Sequence, residues 1–337
     1  MSYQELLKMD SSLLEEKMNA ARKINVKNFG KKIYFYAPGF SHYKTRFYSS
    51  KLELFPTISV TGSYCALKCE HCRGIVLNTM FSATSPSELL KLCKNLKEKG
   101  AVGCLISGGC LPNGAVPLKR FTEAIRQVKK ELKLTVFVHT GIIDTETAFQ
   151  LKEAEVDAAL IDVIGCEETL RKIYHLNIGI EKIEGSLKAL WTAEIPLVPH
   201  VLVGLHYGKL KGEIEALKMI SKYSPSALVI IAFMPIRGTP MEKVKPPSPE
   251  EIARILVAAR LMFPSTPILL GCMRPKGKHR ALTDILAVKS GVNAIAFPVE
   301  KAIEFAKHLG YETVFSPFCC SKIFLDIKRD FSSSTED

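Results

Sequence analysis

Three cysteines within one short segment, Ser63-Tyr-Cys-Ala-Leu-Lys-Cys-Glu-His-Cys-Arg-Gly74, are the residues of this chain best suited to chemistry. Cys65, Cys69 and Cys72 can ligate three irons of a 4Fe-4S cluster and leave the fourth iron without a protein ligand, free to chelate a substrate. Structural zinc usually takes four protein ligands, and the further candidate nearby, His71, adjoins Cys72 and is expected to have difficulty turning toward the same ion. The chain holds ten cysteines and opens on MSYQELLKMD, which has no apolar signal core. Cytosolic thiols stay reduced, so metal binding or core packing explains the cysteines better than disulfides, and the expected location is the cytoplasm.

What positions the three thiols is a repeating pattern. Short β-branched runs at 57–61, 102–107, 134–139, 158–164, 197–205, 227–234, 268–273 and 294–298 alternate with amphipathic stretches at 86–99, 118–132, 145–154, 180–192, 211–222, 249–262, 280–290 and 300–309. Ser85-Pro86 and Ser248-Pro249, each followed by acids, are helix-start signals. Eight strands each followed by a helix predict an α/β fold, a (β/α)8 TIM-type barrel, full or nearly full, with a doubly wound open sheet as the alternative. The cysteine segment follows the first of these strands, where a barrel builds its active site.

Residues 1–50 are expected to form an N-terminal leader packing on the barrel, with an amphipathic helix over 3–23 and a Phe-Tyr-Ala-Pro-Gly segment at 35–39. The barrel takes 51–325, and 326–337 are expected as a flexible tail. The composition, 47% hydrophobic and 24% charged, is that of a globular protein rather than a disordered one. No apolar run is long enough to span a bilayer. The formal charge of +12 suits acidic partners. No nucleic-acid-binding signature accompanies it, so a basic metal-binding module that touches nucleic acid is carried only as the reading from a different class.

The C-x3-C-x2-C spacing after the first strand of a βα repeat resembles the radical S-adenosylmethionine superfamily. That resemblance implies a 4Fe-4S cluster whose open iron holds the amino and carboxylate groups of S-adenosylmethionine, and one-electron cleavage of the sulfonium to a 5′-deoxyadenosyl radical. Ser107-Gly108-Gly109 looks like the Gly-Gly motif that approaches the methionyl amine, with Cys110 where the family usually places Glu. Asp162, at the end of the fourth strand, matches an acidic residue that holds the ribose hydroxyls, with a helix-capping or barrel-rim role as the alternative. Val201-Leu-Val-Gly-Leu-His206 resembles the motif beside adenine, and His71 and His206 join the expected cofactor contacts.

The order of features is similar to that of biotin synthase and its relatives, including Pro199–His206 and the Pro-x-x-Gly-Thr-Pro turn at 235–240. Biotin synthase carries a second, sacrificial cluster in the barrel, but its ligand set is not reproduced here, since His139 and His200 stand where thiols would be sought. The chain more closely resembles the archaeal two-protein lipoyl synthases, through residues 35–39, Pro199–His206 and Cys319-Cys320. This implies sulfur insertion into an octanoyl chain on a lysine of an acidic lipoyl carrier domain or glycine cleavage H-type protein. It also implies a second radical S-adenosylmethionine component, an electron donor such as ferredoxin, and an auxiliary iron–sulfur cluster with ligands among Cys110, Cys272, Cys319 and Cys320. Arg274 and Arg237 are candidates for substrate or carrier contact; ordinary solvation is the alternative for Arg274. Another biotin-synthase-like enzyme, a cofactor maturase or a methylase, is the competing reading. Cys93, Cys104 and Cys166 are expected to fill the core.

Overall fold

The computed structural model describes residue 5 and residues 9–39, 42–51 and 53–333. Eleven strands form a single parallel sheet: β1 (Lys32–Tyr36), β2 (Thr57–Ser59), β3 (Phe81–Ser82), β4 (Gly103–Ser107), β5 (Thr135–His139), β6 (Ala158–Asp162), β7 (Leu197–Val203), β8 (Leu228–Ala232), β9 (Ile268–Leu270), β10 (Ala294–Ala296) and β11 (Glu312–Ser316). Their order across the sheet is β11-β1-β10-β9-β8-β7-β6-β5-β4-β2-β3. The predicted alternation of strand and helix is therefore present, and all eight predicted strands lie in the sheet.

Parallel strands need both faces covered, and the alternation of side chains serves two cores. Val136, Val138, Ala159, Ile161 and Val201 point outward to the helices, while Phe137, Leu160, Val198, Val229, Leu269 and Ala296 point into the barrel. The interior cluster draws on strands from β1 through β10, so the sheet curls around it. Phe55, which precedes β2, lies 5.7 Å from Phe318, which follows β11, so the two ends of the sheet approach each other. Among the described residues no ladder joins β3 to β11, and the barrel is nearly full rather than closed. Helix starts follow the expected chemistry. Ser85 caps Pro86–Glu98, and Ser248 forms a reciprocal capping box with Glu251 ahead of Pro249–Met262.

Two boundaries differ from the sequence reading. The leader contains strand β1, which pairs with both β10 and β11 and is therefore part of the sheet. Ahead of it a helix spans Ser11–Phe29, not 3–23, and buries Leu14, Met18 and Ala21 against the barrel's outer core; residues 3, 4 and 6–8 of the expected helix lie outside the described residues. At the other end, the stretch expected as a tail begins inside a helix, Ile323–Ser333. Asp326 accepts a hydrogen bond from Tyr36 Oη at 2.7 Å, and Asp330 accepts from Lys32 Nζ at 2.8 Å and also from Tyr34 Oη. Residues 334–337 of that tail lie outside the described residues. No described helix is long and apolar enough to cross a membrane.

Candidate active site

The three-cysteine loop leaves β2 and is held against its neighbours by hydrogen bonds on both sides. Ala66 N–H donates to Cys110 O at 2.8 Å, and Thr61 Oγ1 accepts from Gly109 N–H at 2.7 Å while donating to Tyr64 O at 2.9 Å. On the far side Glu70 N–H donates to Ile173 O at 2.9 Å. His175 bridges the loop, with Nδ1 2.8 Å from Leu67 O and Nε2 2.9 Å from Glu70 Oε1. Within the loop, Cys72 and Arg73 both donate backbone N–H groups to Cys69 O. This tight turn folds the chain back, and it brings ligand atoms of Cys69, His71 and Cys72 within 4.8 Å of one another. His71 thus does turn toward the cysteines, contrary to the expectation from its position beside Cys72.

Gly109 explains how the loop sits so close. A Cβ there would lie 2.0 Å from Tyr64 O and 2.6 Å from Cys65 Cβ, so only glycine lets β4 approach the first ligand. Gly108 is packed against Thr61, where a Cβ would meet Oγ1 at 3.0 Å. Ser107 Oγ donates to His139 O at 3.1 Å and ties β4 to β5.

The thiols share protons unequally. Cys65 is lowered to about 5 by the hydrogen bond from the Cys110 thiol, with backbone N–H groups of Cys110, Leu67 and Lys68 adding to it. Cys72 is lowered to about 4 by the hydrogen bond from Cys69 and by His71. Cys69 and Cys110, the donors of these bonds, are pushed up correspondingly. The loop therefore presents negative sulfur ready for a cationic group. Beside it, His71 Nδ1 and Tyr174 Oη are buried without partners, and their rings lie 5.4 Å apart. The soft donor set and these orphaned polar atoms fit an iron–sulfur cluster with a polar ligand next to it.

The four candidate ligands of a second cluster do not gather in one place. Cys110 sits with the first loop, its N–H 3.4 Å from Cys65 Sγ. Cys272, Cys319 and Cys320 pack together on the interior cluster of the barrel. Cys319 is lowered to about 7, chiefly by a hydrogen bond from Cys320. Cys93 and Cys104 are fully buried in the outer core as expected, and Cys166 is half-buried ahead of helix Glu167–Ile173.

Asp162 lies at the mouth but is engaged by His139, whose Nε2 is 3.3 Å from Asp162 Oδ1. His206 Nδ1 is 3.0 Å from Thr169 Oγ1, so it is tied to the helix after β6. Arg237 is exposed on the turn after β8, and that turn faces the segment following the cysteine loop, since a Cβ at Gly238 would come 3.6 Å from Ile75 Cδ1. Arg274 cannot serve as a surface contact. It is fully buried in a two-pronged ion pair with Asp284 at 2.7 and 3.0 Å, and it also donates to Gly271 O and Phe297 O. Tyr174, His175 and Thr61 had no sequence signal, because each acts through a fold contact to a distant segment.

A parallel α/β barrel whose loop after β2 gathers Cys69, His71 and Cys72, with Cys65 packed beside them, has the make-up of an iron–sulfur barrel enzyme. Comparison with known proteins sharpens this. Residues 59–220 match the radical SAM superfamily, and residues 230–313 match the biotin and thiamin synthesis associated domain. The chain belongs to the radical S-adenosylmethionine superfamily and is biotin-synthase-like within it. It is 25% identical over 239 residues to biotin synthase of Leptospira biflexa, covering 69% of this chain and 67% of that protein. It is also 25% identical over 256 residues to 3-methylornithine synthase of Methanosarcina barkeri, covering 74% and 66%. Among solved structures, methylornithine synthase superposes with a TM-score of 0.65 at 18% identity over 96% of this chain and 95% of that one. The FeFe-hydrogenase maturase from Carboxydothermus hydrogenoformans superposes with a TM-score of 0.64 at 16% identity, over 91% and 73%. Membership implies a 4Fe-4S cluster and S-adenosylmethionine as cofactors, and Cys65, Cys69 and Cys72 are the residues that would hold the cluster.

Proposed function

We propose that this chain is a sulfur-inserting enzyme of the lipoyl synthase type, acting on an octanoyl chain attached to a lysine of an acidic carrier domain. The observation that carries the reading is the group Cys272, Cys319 and Cys320 inside the barrel, a second thiol-rich site apart from the radical-forming loop. Held by Cys65, Cys69 and Cys72, a cluster would supply the one-electron chemistry that S-adenosylmethionine cleavage needs, with a donor such as ferredoxin as its source of electrons. The chain's own groups do the positioning. Cys65, Cys69 and Cys72 bind the irons, and the His175 clamp holds the loop's outer side. The backbone at Gly108-Gly109 would lie toward the methionyl end and His206 toward the nucleoside, while the Asp162 carboxylate is taken up by His139 inside the barrel. The interior thiols would hold a second iron–sulfur cluster as the sulfur source, with Cys319 already inclined to the thiolate form that a metal requires. Arg237 and the basic surface suit an acidic lipoyl or H-type carrier, because complementary charge raises encounter rates. A second radical S-adenosylmethionine component would add the other sulfur.

The test has two parts. Anaerobically reconstituted protein should contain about eight irons if both sites fill. Replacing Cys319 and Cys320 with Ala should leave 5′-deoxyadenosine release intact and abolish thiolation of an octanoylated carrier peptide; thiolation that persists sinks the reading. The likeness to 3-methylornithine synthase favours a second reading, carbon chemistry without sulfur insertion. About four irons, with deoxyadenosine formed and no thiolation by the unaltered chain, would select it.

A further inference from the structure

The barrel interior carries a second polar constellation that the radical chemistry does not use. His139, Asp162 and His200 end or lie near the ends of three adjacent strands, β5, β6 and β7. Side chains two apart on a strand share a face, so each stands directly above an inward apolar residue: Phe137, Leu160 and Val198. The ladder between β6 and β7 pairs Asp162 with His200. The three present ligand atoms within 4.8 Å of one another, and the two imidazole rings are 5.5 Å apart in an edge-on arrangement. From these positions we infer that His139, Asp162 and His200 form a site for one divalent transition cation, zinc or ferrous iron, separate from the three-cysteine loop.

The tautomers suit that role. His200 donates Nδ1–H to Val198 O at 3.1 Å, which fixes the neutral ring with an unprotonated Nε2. Metal-binding histidines are held in this way by a hydrogen bond from the other ring nitrogen to a backbone carbonyl. His139 and Asp162 hold each other at 3.3 Å, and Ser107 Oγ anchors the His139 carbonyl. A cation entering between them displaces the proton on His139 Nε2 to solvent and takes its lone pair, so binding releases that proton. Metal–nitrogen bonds of about 2.1 Å put donors about 3.4 Å apart, so atoms now within 4.8 Å of one another close by at most about 1.4 Å between them, which side-chain adjustment on two residues supplies. Two histidines and one carboxylate leave the remaining coordination positions open, and Asp162 is 30% exposed toward the barrel mouth. The ligand such a cation would accept there is an oxygen of a carboxylate or carbonyl group on the substrate. The cysteine loop has its own ligands, and the inference holds whether or not the chain inserts sulfur.

Cobalt(II) tests it by optical spectroscopy without recourse to activity. The full chain with Cys65, Cys69 and Cys72 replaced by Ala is titrated with cobalt under anaerobic conditions, so the loop cannot compete. The expected result is ligand-field absorption from one equivalent bound at the histidines; a thiolate charge-transfer band, where one is seen, belongs to the interior thiols and is removed in C319S/C320S without loss of the ligand-field absorption. H139Q and H200Q should each weaken binding by about a hundredfold or more, while C319S/C320S leaves it unchanged. Circular dichroism confirms that each variant remains folded, and D162N provides a near-isosteric second probe of the same site. Failure to bind one equivalent overturns the inference. So does ligand-field absorption that is lost in C319S/C320S but survives in H139Q and H200Q, because the interior thiols would then be the only site that binds the cation.

Discussion

Gly109→Ala should disable the radical-forming loop while leaving the barrel folded. The new methyl carbon would lie 2.0 Å from Tyr64 O, 2.6 Å from Cys65 Cβ and 2.7 Å from Cys65 Cα. The nearest of these is about 1.4 Å short of an ordinary contact, and two of the three atoms are backbone, so no rotamer change relieves the overlap. The loop must move away from β4. In doing so it gives up the bonds Ala66 N–H to Cys110 O and Cys110 N–H to Cys65 Sγ. An overlap this deep on backbone atoms lies above the usual overpacking cost of about 1–3 kcal/mol, and with about 4 kcal/mol of overlap set against about 2 kcal/mol for the two bonds that resist the move, the net bias against the ligating geometry is about 2 kcal/mol. That is roughly a thirtyfold fall in its population. The assay is iron and sulfide content after anaerobic reconstitution, alongside 5′-deoxyadenosine release under excess reductant. Gly108→Ala is the control, since its Cβ comes no closer than 3.0 Å to Thr61 and asks for a shift of only a few tenths of an ångström, and it should cost only about 1 kcal/mol, roughly fivefold. A Gly109→Ala protein with full iron content and undiminished deoxyadenosine release would refute the steric account of this motif.

Three further outcomes follow from buried groups. Asp284→Ala leaves the Arg274 guanidinium buried without its counter-charge, and thermal unfolding should show a loss of about 3–5 kcal/mol; a loss under 1 kcal/mol would mean that the pair is solvated. Asp326→Ala removes the partner of the buried Tyr36 hydroxyl and should cost about 1–3 kcal/mol in denaturant unfolding, whereas a truly flexible tail would give no change. Glu213 has one carboxyl oxygen bonded to Gly204 N–H at 2.8 Å and the other buried without a partner, and burial raises its pKa from 4.5 to about 7. The folded chain thus holds this proton more tightly than the unfolded one. The contribution is fully present below about pH 4.5 and is lost as pH rises through about 7, on the order of 3 kcal/mol. Glu213→Gln should flatten that part of the stability–pH curve. An unchanged slope between pH 4.5 and 7 would show that the carboxyl is hydrated.

What could be read from the chain beforehand follows the range of the interactions involved. The cysteine loop was legible because all three ligands lie within one turn of chain, and the βα alternation because period 2 and period 3.6 are local properties. Strand β1 was not, since Tyr34, Phe35 and Tyr36 are apolar on both faces and their partners lie on β10 and β11, near the opposite end of the chain. Arg274 stands among Lys276, Lys278 and Arg280 in the sequence and looks like part of a solvated basic segment. Its carboxylate partner on the following helix becomes visible only when the helix packs.

The same distinction separates the two sites in the barrel. Cys110 and Cys272 look equivalent along the chain, each just beyond a strand, yet the first joins Cys65 and the second joins Cys319. His139, Asp162 and His200 were each visible singly, but nothing local relates them. It takes the ladder register, with Asp162 opposite His200, and the inward parity shared with Phe137, Leu160 and Val198 to make one polar layer of them. Residues set by local spacing therefore specify how the radical is made. Residues brought together by sheet register form a polar layer inside the barrel, above Phe137, Leu160 and Val198, and no local spacing in the sequence announces it.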